Sequence, residues 1–281
     1  MDIILKFLKK AYDSYGKLPM RIRFLIVVSF FMILFLVSVS LKQYQYKEEK
    51  IYGNPNHVQN NSKNGSNPSV IEEENTIPEP KEVKVVIDPG HGGEDLGATK
   101  GDLCEKRLNL DISKRTGKLL ENLGINVIYT REKDVAVGLD ERVNIANNLD
   151  ATLFISVHNN YMPNDAGYKG TETLYCPPVT TEENKMDGMK LATIVQRKLI
   201  GNLKTVDNGI IYRPNLVVLR KTNMPAVIAE IAYISNSSDR AKLVDEDFRE
   251  NAAEALSEAV MEALEYMKAE KNENGVWMIM D

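Results

Sequence analysis

The sequence predicts an α/β fold: a mostly parallel open sheet flanked by helices on both faces, preceded by an N-terminal transmembrane helix. Three observations carry this. Apolar, β-branched runs such as "VKVVID", "INVIYT" and "ATLFISV" alternate with longer stretches of helical period between residues 83 and 268. The strand candidates are apolar nearly throughout, as in a parallel sheet covered on both sides. Upstream, "FLIVVSFFMILFLVSVSL" at 24–41 carries no charge.

At 1.5 Å per residue, 24–41 would reach roughly 27 Å, close to the hydrocarbon thickness of a bilayer. Lys6, Lys9, Lys10, Lys17, Arg21 and Arg23 precede it, against Asp2 and Asp13. The positive-inside rule then makes 1–23 cytoplasmic and sends the remainder outside the cytoplasm, with the membrane as a partner through the N-terminal helix. A cleaved signal peptide is the competing reading, with Ser38-Val39-Ser40 as its small-residue site. The apolar run is long for a signal peptide. Residues 42–82 are rich in Asn, Ser, Gly, Pro and Glu, too polar to offset chain entropy by burial, and read as a disordered linker. His57 falls in it as an ordinary polar residue.

The catalytic-sized domain, 83–268, then reads in order. Residues 83–88 are a strand. Residues 106–123 place Leu108, Ile112, Leu119 and Leu123 on one helical face and stop at Gly124, a C′ glycine. Strand 125–130 follows, then helix 139–148 with Leu139, Val143 and Ala146 on one side. Residues 151–157 are a third buried strand, and 171–176 alternate as a half-buried one. Helix 183–199, strand 225–231 and a closing helix 248–267 complete the pattern, and the tail 269–281 has no assignment. Ligand sites in such sheets lie beyond the carboxyl ends of the strands.

Composition excludes some partners. The chain has 281 residues and a net charge of −5, so it carries no basic footprint for nucleic acid. Cys104 and Cys176 make no disulfide framework; they form one bridge or stay free thiols.

Of three histidines, two remain in the folded region, His91 in "DPGHGG" and His158 in "ISVHNN". Both follow strands. If those strands are parallel neighbours, about 5 Å apart, the imidazoles converge on one rim. Two converging imidazoles suit a metal, and imidazole with carboxylate suits zinc, which keeps three protein ligands and an open position in catalytic sites. The third ligand is Glu105, at the start of helix 106–123, or its neighbour Cys104. Glu230 ends strand 225–231, so two glutamates share the roles of ligand and general base. Such a set hydrolyses amides or esters.

Each residue also has a plainer reading. A loop histidine commonly bonds at the surface, and Glu105 complements a helix dipole, the reading its local sequence favours. Glu230 can sit in a salt bridge, although an unpaired acid within "AVIAEIAYI" would be costly. Asp88 fits a turn-fixing role better than metal binding. "GHGG" lacks the spacing and lysine of a phosphate loop.

In order and spacing, "VVIDPGHGGEDLGA", "EKRLNLDIS", "VIYTREKD", "LDERVNIANNLDATLFISVHNN" and "MPAVIAEIAYISN" resemble zinc-dependent N-acetylmuramoyl-L-alanine amidases of the third amidase type. The resemblance covers about 83–267. It implies an open α/β sheet, one zinc ion on His91, Glu105 and His158, and Glu230 as the catalytic carboxylate. Asn160 in "HNN" and Arg220 in "VVLR" match positions near the cleft and stand as substrate-binding candidates. The implied substrate is peptidoglycan, cut at the amide between N-acetylmuramic acid and the L-alanine of the stem peptide. Arg107 departs from a common acid after "EK", and Ala229-Glu230 from a common Val-Glu; neither touches an expected ligand. A single anchor with a bare catalytic domain looks most like the sporulation amidases of spore cortex maturation. That implies a location in the cell wall or forespore intermembrane space and an accessory activating protein. A non-catalytic wall-binding module and a zinc peptidase cutting within the stem peptide are the alternatives.

Overall fold

The computed structural model describes residues 79–176 and 185–280. The described chain runs through β1 (Pro80–Glu82), β2 (Lys84–Pro89), β3 (Thr99–Lys100), β4 (Leu103–Cys104), α1 (Glu105–Asn122), β5 (Asn126–Tyr129) and α2 (Leu139–Asn148). It continues through β6 (Leu153–Asn160), β7 (Thr171–Tyr175), α3 (Gly188–Leu203), β8 (Asp207–Tyr212), α4 (Val217–Arg220) and β9 (Ala226–Tyr233). It ends with α5 (Ser237–Val244), α6 (Glu246–Tyr266), β10 (Glu270–Lys271) and β11 (Trp277–Met280).

The central sheet has six strands in the order β5-β2-β6-β9-β7-β8. β5, β2, β6 and β9 are mutually parallel, and β7 runs antiparallel to β9 with β8 parallel to β7. The expected mostly parallel α/β sheet is therefore present, with one reversal at β7. Cys104 and Cys176 are both free thiols.

Strand alternation splits the core in two. Val85, Ile87, Leu153, Ile155, Val157, Val227, Ala229 and Ile231 face one side, where the apolar stripes of α1, α3 and α6 cover them. The small residues Ala252, Ala255, Ala259 and Ala263 belong to this cluster and let α6 pack closely against α1 and α3. Val86, Phe154, Leu174 and Ile228 face the other side, where only α2 and the four-residue α4 pack. By the same period of two, Asp88, Ser156, His158, Asn160, Glu172 and Glu230 continue this second face toward the rim. The face with less helical cover is the one that carries the polar residues.

The C-terminal stretch joins the fold. β11 pairs antiparallel with β1 and β10, Ile279 is buried in the first cluster, and the Trp277 indole donates to the Leu123 carbonyl at 3.0 Å.

One expectation is corrected. Among the described residues no helix is long and apolar enough to cross a membrane. This overturns the membrane-anchored location outside the cytoplasm. Residues 24–41, on which it rested, lie outside the described residues, as do 42–78 of the expected linker.

Candidate metal centre

β2 and β6 are neighbours, with Asp88 paired to Ser156 and Pro89 to Val157. The loop leaving β2 therefore starts beside the end of β6. His158 lies within β6 rather than after it, because the strand runs on beyond its apolar run to Asn160 along β9. The two imidazoles meet edge to face, ring centroids 4.9 Å apart.

The loop that carries His91 is shaped by buried charge. Asp88, 1% exposed, accepts from Thr130 Oγ1 at 2.5 Å, Ser156 Oγ at 2.7 Å and Arg142 Nη1 at 2.5 Å. Arg142 also donates to the carbonyls of Pro89 at 2.8 Å and His91 at 2.7 Å. Arg131 donates to the carbonyls of Pro89, Gly90 and Lys106, each at 2.9 Å. These contacts hold His91 at φ 61°, a left-handed conformation that disfavours residues with a Cβ. Gly90 is required for a different reason. A Cβ there would stand 2.1 Å from His158 Nε2, so the imidazole occupies the space a side chain would take.

Glu105 opens α1 and is buried between the rings. Its Oε1 lies 3.1 Å from His91 Nε2 and 2.9 Å from His158 Nδ1. Asn159 N and Asn109 Nδ2 donate to the same oxygen at 3.2 and 3.3 Å, and Ala98 N donates to Oε2 at 2.8 Å. The other nitrogen of His91, Nδ1, faces Asp95 Oδ2 at 2.8 Å, which aims Nε2 at Glu105. One donor atom each from His91, Glu105 and His158 lies within 4.8 Å of the others, the only such group among the described residues. The rival Cys104 points elsewhere, donating Sγ to the Leu96 carbonyl at 3.2 Å.

Electrostatics follow from this packing. Burial of the His91 ring works against protonation, but hydrogen bonds to Glu105 and Asp95 outweigh it and raise its pKa to about 9. Burial pushes the Glu105 carboxyl up, and the two imidazoles override this and hold it well below its usual range. His158 is raised, burial again being outweighed by Glu105 and Glu230.

Glu230, on β9, is the register partner of His158 on β6 and of Glu172 on β7. Its Oε2 is buried with no hydrogen-bond partner among the described residues. Burial raises its pKa to about 7; nearby histidines pull it down while Glu105 and Glu172 push it up. A carboxyl that burial lifts toward neutrality, on the strand position paired with His158, is suited to taking up and releasing a proton.

Asn160 lies at the same rim with its amide already engaged. Nδ2 donates to Glu172 Oε1 at 3.0 Å and to the Tyr233 hydroxyl at 3.3 Å, while Oδ1 accepts from Tyr161 N at 2.7 Å. Arg220 sits apart, exposed at the end of α4, with its charge near Cys176. A cavity of about 450 Å³ opens at Gly90, His91 and His158 and is walled by Val137, Leu139, Leu216, Val217 and Ile228. Sequence reasoning found the donor set but not Arg131, Arg142, Glu172 or Tyr233. Nothing in the sequence singles out Arg142 within helix 139–148 or Glu172 within strand 171–176.

Comparison with known proteins now bears on this site. The family model described as N-acetylmuramoyl-L-alanine amidase, Amidase_3, matches residues 85–262. The chain belongs to that family. The family is one of hydrolases, and its matched span contains every residue of the donor cluster and Glu230. This amidase-family chain is 37% identical over 178 residues to the N-acetylmuramoyl-L-alanine amidase LytC of Bacillus subtilis, covering 63% of this chain and 34% of LytC. It is 33% identical over 192 residues to the sporulation-specific N-acetylmuramoyl-L-alanine amidase of the same organism, covering 66% of this chain and 70% of that one. Among solved structures, the catalytic domain of the amidase CwlV from Paenibacillus polymyxa aligns with TM-score 0.60 at 33% identity, over 66% of this chain and 99% of that chain. The CwlD amidase of Clostridioides difficile, in complex with the GerS lipoprotein, aligns with TM-score 0.60 at 28% identity, over 65% and 98%. The chain thus spans about a third of the length of LytC.

Proposed function

We propose that this chain hydrolyses the amide between N-acetylmuramic acid and the L-alanine of the peptidoglycan stem peptide, with one zinc ion held by His91, Glu105 and His158. The observation that carries the reading is the cluster of those three donors beside an unpartnered, buried Glu230 oxygen. The donor chemistry fits zinc: two imidazoles and one carboxylate leave a position open in a four-coordinate site. The orphaned oxygen fits too, since a buried polar atom without a partner calls for one.

A zinc ion bound there supplies Lewis-acid polarisation of the scissile carbonyl. The chain's own residues do the rest. Glu230 accepts a proton from the attacking water and delivers it to the leaving nitrogen of L-alanine. Asp95 holds the His91 ring in the tautomer that offers Nε2. The buried arginines keep the His91 loop in place, and the aliphatic cavity wall excludes water from one flank. Asn160 shapes the rim through Glu172 and Tyr233, and Arg220 offers a charge on the outer approach to acidic groups of the substrate.

The likeness to a sporulation-specific amidase supports a role in spore cortex maturation. The capture of CwlD with a lipoprotein supports an accessory activating protein here as well. The test is mass spectrometry of purified peptidoglycan digested with and without a chelator. Intact stem peptides freed from glycan, only without chelator, are the expected product. Truncated stems, or no product, would reject the assignment.

A further inference from the structure

Between β6 and β7, order and exposure part company. Residues 161–169 are all exposed, yet their backbone is tied down repeatedly. Met162 N donates to Ser235 Oγ at 3.0 Å, Asn236 Nδ2 donates to the Ala166 carbonyl at 2.8 Å, and Gly170 N donates to Asp239 Oδ2 at 2.8 Å. With the Tyr161 N bond to Asn160, the loop is fastened to both β6 and the segment following β9. Fixing a backbone costs conformational entropy. Over a third of the surface of Tyr161, Met162 and Tyr168 nevertheless stays open to solvent, at 37%, 36% and 38% exposed.

The exposed rings are also registered to the site. β9 lies between β6 and β7 in the sheet, so the loop crosses its carboxyl end. Tyr168 meets the buried Tyr233 edge to face, centroids 4.9 Å apart. The Tyr233 hydroxyl accepts from Asn160, two residues beyond His158, and Tyr233 itself stands three residues beyond Glu230. The Tyr168 ring is thus fixed to Tyr233 on the strand of Glu230, and the Tyr161 backbone to Asn160 on the strand of His158, at the two ends of one loop.

We propose that Tyr161 and Tyr168 form a platform on which a sugar ring of the peptidoglycan glycan stacks beside the scissile amide. The proposal rests on the amidase reading above and names which residues hold the glycan half of that substrate. A pyranose presents a C–H face and a hydroxyl edge. Tyrosine rings match the face, and the exposed Asn164 and Asp165 flank them with polar groups for the edge. Rigid amphipathic rings give such contact area at low entropic cost. The aliphatic cavity at the histidines has none of residues 161–169 in its wall and suits the peptide half.

The test titrates peptidoglycan glycan strands stripped of stem peptides into the zinc-loaded full chain, followed by calorimetry. Wild type is expected to bind, Tyr168→Phe to bind comparably, and the Tyr161→Ala/Tyr168→Ala double variant to bind about tenfold more weakly or worse. Equal affinity of the double variant and wild type overturns the proposal, as does absence of glycan binding by wild type. If the double variant fails to fold by circular dichroism, Tyr161→Ala alone decides, because it removes no described ring contact. Hydrolysis of a muramoyl-dipeptide without further sugars tests the activity separately. Activity without glycan binding rejects the platform alone; tyrosine-dependent glycan binding without activity keeps the platform and rejects the amidase reading.

Discussion

His158 and Glu230 stand side by side as register partners on β6 and β9, one facing Glu105 and the other with a buried oxygen that nothing described satisfies. The division of labour between the two glutamates follows from this. Glu105 is enclosed by nitrogens from five groups, whereas Glu230 keeps an acceptor available. Glu230→Gln should therefore retain zinc while turnover on muropeptides falls by roughly 10²–10⁴-fold. Near wild-type hydrolysis would give Glu230 another role.

Gly90→Ala tests the closeness of the two histidine-bearing segments. The added Cβ would collide with the His158 ring at 2.1 Å. A shift of the ring or loop should lower zinc affinity by about 10–100-fold and stability by about 1–3 kcal/mol. Gly138→Ala, where a Cβ meets nothing within 4 Å, is the control. Competition with a zinc-binding dye and urea denaturation read the two effects.

Arg142 is predicted to matter although it touches no donor atom. It pairs with buried Asp88 at 2.5 Å and holds the His91 carbonyl. Removing one partner of a buried pair leaves the other uncompensated, so Arg142→Met should cost about 3–5 kcal/mol in urea denaturation. A loss below about 1 kcal/mol would mean that Asp88 finds another partner.

The pH dependence of the metal-free protein follows from the shifted groups. The raised His91 value means that its ion-pair stabilisation is complete below the unfolded value of 6.5 and is lost as pH rises through about 9. The lowered Glu105 value means that its contribution is complete above the unfolded value of 4.5 and is lost as pH falls toward the folded value. Glu230 adds a third slope: its carboxyl ionises at 4.5 when unfolded but at about 7 when folded. Stability therefore peaks near 4.5 and declines on either side, through the loss of Glu105 below and of Glu230 and then His91 above. Zinc must displace the His91 proton, so zinc affinity should rise with pH until about 9 and then level off. Thermal melts without metal and zinc titrations across that range check both; affinity independent of pH would contradict the assignment of His91.

Much of this was legible in the sequence, and the exceptions have physical causes. The apolar runs located β2, β5, β6 and β9, because strands buried on both faces leave a strong pattern. Residues 158–160 read as loop because they are polar, but hydrogen bonds to Glu105 and Asn109 on α1 and to Glu172 on β7 hold them as the end of a strand. β8 was missed because Asp207 and Asn208 open it and Gly209, at φ 77°, interrupts it. The four-residue α4 is too short to show a helical period. β11 depends on partners nearly 200 residues away in β1, which no local pattern reveals. Of the site, the two histidines stood out by scarcity and Glu230 by its apolar setting, whereas Glu105 read locally as a helix-dipole acid. Spacing alone left Glu105 and Cys104 as alternatives and the resemblance favoured Glu105; in the fold Glu105 turns inward between the imidazoles while Cys104, at the end of β4, bonds the Leu96 carbonyl.

The central claim is that His91, Glu105 and His158 jointly hold one divalent ion. Elemental analysis of wild type and Glu105→Gln, both saturated with zinc and then dialysed, tests it most directly. The account predicts one zinc per chain in the wild type and less than about a tenth of that in the variant. Equal zinc in both, in a variant that is folded by circular dichroism, would contradict it.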